Sequence, residues 1–105
     1  MASFEEPYAA PVTATTATTG DATQVFATPN SRVGYSICNP STSVKVYVQE
    51  RKRSDTTVPT AAQVVASPTF IVQPEATETS GMRQGKIFIA SVSTAVDAKC
   101  QELQG

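Results

Sequence analysis

Apolar and polar residues alternate along much of this chain with a period of two, the spacing that places every second side chain on one face of a strand. In RVGYSIC (32–38), Val33, Tyr35 and Ile37 share one face, and Gly34, Ser36 and Cys38 the other. In SVKVYVQE (43–50), Val44, Val46 and Val48 oppose Lys45, Tyr47 and Gln49. Asn39-Pro40-Ser41-Thr42 is a turn signal between them, so the pair reads as a β-hairpin. TQVFAT (23–28) reads as an earlier strand, closed by a turn at Pro29-Asn30-Ser31. Late in the chain, GKIFIASVS (85–93) and VDAKCQEL (96–103) form a second alternating pair around a tight turn at Thr94-Ala95. Lys99, on the polar side of the last segment, suits a strand at or near a sheet edge. The middle is less regular. AAQVVA (61–66), bracketed by Pro59 and Pro68, fits either a short strand or a turn of helix. PTFIVQP (68–74) reads as a strand ended by Pro74, and EATETSG (75–81) as a polar loop. The pattern predicts an all-β body over residues 22–105: a small β-sandwich or jelly-roll-like barrel of six to seven short antiparallel strands.

Ahead of that body the pattern stops. Residues 1–21 contain a Thr/Ala run, TATTATT (13–19), with Pro7 and Pro11 before it and Gly20-Asp21 after it. Such a segment buries too little apolar area to offset the cost of ordering its backbone. It reads as an extended arm. Phe4, Tyr8 and Val12 recur every fourth residue, about 13 Å apart on an extended chain, so each can fill a separate shallow pocket on a neighbouring subunit.

Composition supports the fold class. Thirty-one of the 105 residues are Val, Ile or Thr, and Leu103 is the one leucine. β-Branched side chains suit a pleated surface, whereas helix cores lean on Leu, Met and Ala. The length suits one domain.

Charge and chemistry narrow the function. The net charge is −1; the acids Glu5, Glu6 and Asp21 precede Arg32, and all eight bases lie from Arg32 onward. With no histidine and only Cys38 and Cys100, the chain has no zinc pattern and no His-based nucleophile activation, so neither catalysis nor a cofactor is expected. The two cysteines read as thiols of a protein made in a reducing host cytoplasm. No apolar run approaches the length of a membrane span, and MASFEEPYAAPV has no features of a signal peptide. Arg51-Lys52-Arg53 is a basic cluster flanked by Glu50 and Asp55. It suits an acidic patch on a partner protein better than nucleic acid, given the net charge. A nucleic-acid-binding β-barrel, with Tyr35, Tyr47, Phe70 and Phe88 stacking on bases, is the alternative from another class.

One family resemblance sharpens this. FATPNSRVGYSICNPSTSVKVYVQ (26–49) resembles a motif recurrent in small virion accessory proteins of tailed bacteriophages, carried by Pro29, Asn30, Arg32, Ser36, Ile37, Asn39, Ser41, Thr42, Val46, Tyr47 and Val48. GKIFIASVSTAVDAKCQEL (85–103) is similar to the final hairpin of that family. The region before it, PTFIVQPEATETSG, departs from the family's Gly-rich pattern. The resemblance implies a β-sandwich or barrel, an assembly role and no catalysis, with Arg32 and Asn39 holding turns. It points to a capsid cement or decoration protein on the virion exterior. Its partners would be the major capsid protein and other virion subunits, and many copies would sit on the particle as a homo-oligomer. The expected partner-facing residues are Phe4, Tyr8, Val12, Arg51, Lys52 and Arg53. A neck, tail or fibre component is the nearest alternative.

Overall fold

The computed structural model describes residues 11–26, 32–81 and 85–104, which form two four-stranded antiparallel sheets and one short helix. The strands are β1 (Val12–Thr15), β2 (Thr23–Gln24), β3 (Arg32–Cys38), β4 (Val46–Arg51), β5 (Phe70–Val72), β6 (Thr77–Ser80), β7 (Lys86–Ala90) and β8 (Asp97–Gln104). Helix α1 (Ala61–Ala66) lies between β4 and β5. One sheet has the order β1-β8-β3-β6 and the other β2-β7-β4-β5. The pairs β1·β8, β2·β7, β3·β6 and β4·β5 are nested one inside the next, and β8·β3 and β7·β4 join them into sheets.

The alternation read from the sequence sets the two faces. Tyr35 and Ile37 from β3, and Ala98 and Cys100 from β8, meet Val46, Val48, Val72, Ile87 and Ile89 from the facing sheet in one core. The sheets therefore pack face to face as a sandwich; they do not close into a barrel, and β1, β6, β2 and β5 remain as edges. Phe26 stacks edge-on against Tyr35, with ring centroids 5.8 Å apart. β7 is buried on both faces, because α1 covers Phe88 and Ala90 on the outer side.

Several expectations are corrected. Neither expected hairpin is one. The chain leaves β3 in one sheet and enters β4 in the other, and it does the same from β7 to β8. Alternation reports which face is buried, and a strand facing its predecessor across a sandwich carries the same alternation as one beside it. AAQVVA is helical. EATETSG contains the edge strand β6, whose polar side chains are tolerated because most of them face outward. β8 is interior, flanked by β1 and β3, so Lys99 does not guard an edge. The expected arm does not extend to residue 21. β1 pairs with β8 in the register Val12↔Cys100 to Thr15↔Asp97, and Ala14 is buried.

Residues 16–22 then cross between the sheets, held by polar bonds that the composition of the Thr/Ala run supplies. The Val96 N–H donates to Thr16 Oγ1 at 2.8 Å, and Thr16 N–H donates back to the Val96 carbonyl at 2.9 Å. Thr16 Oγ1 lies 2.5 Å from Ser91 Oγ, whose own O–H donates to the Thr94 carbonyl at 2.7 Å. That fixes the direction: Thr16 donates to Ser91. The Gly20 carbonyl accepts from Ala61 N at 2.8 Å, which ties the crossing to the start of α1. Gly20 sits at φ +66°, in the left-handed region that favours glycine.

Close approach explains a second glycine. A Cβ at Gly34 would stand 2.6 Å from the Ser80 carbonyl oxygen on the neighbouring strand, so any side chain there would push β6 off β3.

Cys38 and Cys100 are free. Ile37 is the register partner of Cys100, and Cys38 that of Lys99, so the two thiols point to opposite faces of the sheet. Burial, with a smaller effect from Cys38, pushes the Cys100 thiol up to about 12. The unfolded thiol ionises near 9 while the folded one stays protonated, so stability is expected to fall as pH rises from about 9 to 12. At pH 9, iodoacetamide should leave Cys100 unmodified in the folded chain and alkylate it in urea, read by peptide mass mapping. Equal labelling in both states would show that the strand opens readily.

Candidate functional site

The expected partner-facing residues fall into separate places. Phe4 and Tyr8 lie outside the described residues, as does the Pro29-Asn30-Ser31 turn. Val12 begins edge strand β1 and is 42% exposed at the rim of the core. Arg51 closes β4 and is turned inward on its own loop: Nε donates to Gln49 Oε1 at 2.7 Å, and Nη1 meets Asp55 Oδ2 at 3.1 Å. Asp55 accepts from the Thr57 backbone N–H at 2.8 Å, and this bond, helped by Arg51, holds its carboxyl below the usual value. Lys86, the cross-strand neighbour of Arg51, donates to the Asp55 carbonyl. Lys52 and Arg53 are exposed at the loop tip. The basic cluster is thus a braced loop presenting two cations, at the end of β4 in the sheet opposite the one that holds β1.

The base-stacking aromatics are mostly interior. Tyr35 and Phe88 are fully buried, Phe70 packs against the core, and Tyr47 alone of the four is half-buried on the outer face. The Tyr35 phenol donates to Glu50 Oε2 at 2.6 Å, and Ser80 donates to the same oxygen. Glu50 therefore ties β4 to β3 and β6 across the sandwich. Among the described residues, no group of three or more His, Cys, Asp or Glu side chains could hold a metal, and no helix is long and apolar enough to cross a membrane.

Asn39 has the turn-holding role implied for it. Its side chain is fully buried; Nδ2 donates to the Val44 and Val72 carbonyls at 2.7 and 3.1 Å, and Oδ1 accepts from Ser41 N at 3.0 Å. The Arg32 side chain lies outside what the structure describes.

A surface that sequence reasoning missed lies at the end of the sandwich away from the basic loop. Thr60 caps α1 in a reciprocal box: Gln63 N donates to Thr60 Oγ1 at 3.1 Å, and Thr60 N donates to Gln63 Oε1 at 2.9 Å. The T-x-x-Q spacing at 60–63 was the available signal. The capped turn buries Ala61 and Val64 on the second sheet and leaves Ala62 and Val65 towards solvent. Beside them, the turn after β7 raises Val92, 53% exposed. Two open hollows meet at Val92. One, of about 390 Å³, lies between α1, Thr18-Thr19 and the turn. The other, of about 330 Å³, is lined by Val44, Lys45 and Tyr47.

Comparison with family models, with curated proteins and with solved structures found no match to this chain.

Proposed function

We propose that this chain is a non-catalytic structural protein of a tailed-phage virion: a capsid cement or decoration protein whose leader and body lie on neighbouring capsid subunits. The observation that carries the reading is the nested strand pairing. An order of β1-β8-β3-β6 facing β2-β7-β4-β5 is that of an eight-stranded jelly roll, an architecture used by viral capsid domains among others. Fold alone does not specify function, so the site must add to it. Here the site is a pair of shallow hollows, a braced cationic loop tip and a leader bearing two aromatics. These are features that suit docking. The resemblance of residues 26–49 to a motif of phage virion accessory proteins supports the same assignment, whereas the likeness of 85–103 to that family's final hairpin does not carry over, because β7 and β8 lie in different sheets.

The test is co-sedimentation of the purified full chain with phage heads lacking it, followed by counting copies. Binding at hundreds of copies per head is expected, as icosahedral symmetry multiplies one weak site. The double variant Phe4→Ala/Tyr8→Ala should bind at least about tenfold more weakly, from the lost burial of two large side chains. Saturation at roughly six or twelve copies would move the protein to the neck or tail. No binding to any particle would end the virion reading.

A further inference from the structure

We infer that the double hollow around Val92 receives Phe4 and Tyr8 from the leader of a second copy of this chain. The inference rests on the reading of residues 1–10 as a docking leader, and it sets Phe4 and Tyr8 on an adjacent copy of this chain rather than directly on a capsid subunit, which leaves contact with the head to the body and links neighbouring copies through their leaders. Three observations converge. First, the number fits: two hollows adjoin at Val92, and the leader carries two aromatics four residues apart, about 13 Å on an extended chain, a form that Pro7 favours. Second, the charge fits: Glu5 and Glu6 lie between the two aromatics, residues 1–10 hold no base, and Lys45 is an exposed wall of the second hollow.

Third, the strand registers keep the chain's own leader from filling both hollows at once. β1 enters beside Cys100 and leaves beside Asp97, so residue 11 points along β8 towards Gln104. Arg32 pairs with Gln104 at that end, and the Tyr35–Glu50 contact sets it over the Arg51 end of β4. The hollows are at the other end, formed by Thr18 after β1, Val92 after β7 and Lys45 before β4. β1 carries the chain about 13 Å from Pro11 along β8 to the level of Asp97, and residues 16–18 then cross to the other sheet before the first hollow begins. The Tyr8 backbone can lie at most about 11 Å from Pro11. The chain's own Tyr8 backbone therefore stops short of the hollows, so its Phe4 and Tyr8 cannot fill both together, whereas a neighbour stacked end to end presents its leader there. The leader joins the body at Pro11 at one end and the hollows open at the other, so the contact is heterologous and propagates into rings or open chains.

The experiment is sedimentation velocity of the full chain with two kinds of variant. Val92→Glu and Ala62→Arg each obstruct the hollow at an exposed position and leave the leader intact. Phe4→Ala/Tyr8→Ala removes the anchors and leaves the hollow intact. The unaltered chain should rise in mass above 11.1 kDa with concentration. Each variant alone should associate at least about tenfold more weakly. Mixing Val92→Glu with Phe4→Ala/Tyr8→Ala should restore association that stops at pairs, since one supplies the leader and the other the hollow. An unaltered chain that stays monomeric up to roughly 1 mM would overturn the inference. So would full association by both hollow variants, or a mixture that stays monomeric. Head binding is read separately: bound heads with no self-association would sink this inference and leave the virion reading standing, and the reverse result would do the opposite.

Discussion

A chain beginning at Asp21 is expected to lose most of its stability, although the deleted residues look like a tether. Deletion of residues 1–20 removes β1 and with it the cover over one side of β8, including Ala14 above Ala98 and Cys100. It also strands groups inside. Val96 N–H loses Thr16 Oγ1, Ser91 N–H loses the Ala17 carbonyl, and Ala61 N–H loses the Gly20 carbonyl at the start of α1. Each orphaned buried donor costs about 1–3 kcal/mol. Three of them, with the lost strand pairing, amount to roughly 4 kcal/mol or more against a total of about 5–15 kcal/mol for a domain of this kind. Urea denaturation followed by circular dichroism is the measurement, and the midpoint should fall sharply. A truncated chain with an unchanged midpoint would mean that β1 contributes nothing to the body. This is why the leader is better probed by substituting Phe4 and Tyr8 than by cutting it away.

Asn39→Leu is expected to cost about 3 kcal/mol, lowering the thermal midpoint by about 12–24 °C. Leucine keeps the branched shape but sets two bulkier methyl groups where the polar atoms stood, so the cost is lost hydrogen bonding with some crowding. One carboxamide serves the Val44 carbonyl, the Val72 carbonyl and the Ser41 N–H, and so joins the crossing loop after β3 to the end of β5 in the other sheet. The backbone N–H of Asn39 continues the junction by donating to Ala76 at 2.9 Å. Asn39→Asp separates the two halves of the role. It keeps the acceptor for Ser41 but sets a carboxylate against two carbonyl oxygens. Both burial and those oxygens raise its folded pKa above the unfolded value of about 3.9. The penalty is therefore absent below that pH and grows as pH rises through it, so the variant should gain stability on acidification towards pH 4. A pH-independent Asn39→Asp would show that the amide does not face those carbonyls.

Much of the fold was legible because burial follows alternation. Tyr35, Ile37, Val46, Val48, Ile87, Ile89, Ala98 and Cys100 were assignable to one interior from period alone, and the structure places all of them in one core. Pairing was not legible. Which strand lies beside another depends on where a connection crosses the sandwich, and nothing in Asn-Pro-Ser-Thr distinguishes a hairpin turn from a bridge between sheets. That information sits in the buried side chain of Asn39, whose partners are 5 and 33 residues away. β1 was hidden for a related reason. TATTATT has little apolar area, so its order comes from hydroxyl bonds and from β8, both invisible to periodicity. The hollowed surface beside α1 was missed because that helix is only six residues long, and its capping box was the one local clue. The basic cluster was seen, but the bracing of Arg51 by Asp55 was not, since it depends on the fold of the loop.

The nesting of β1 with β8 also governs how the chain comes into being. β1 precedes every other strand of the sandwich and its partner β8 follows them all, so the sandwich cannot close until β8 has been made. Synthesis at about 5–20 residues per second leaves the unmatched flanks waiting for seconds, and such distant pairings are slow to form even in the complete polypeptide. The pair β4·β5, separated only by residues 52–69 with α1 among them, is the most local of the pairings and the natural seed. From it, growth proceeds outward in shells, and the two chain ends are the last to be secured.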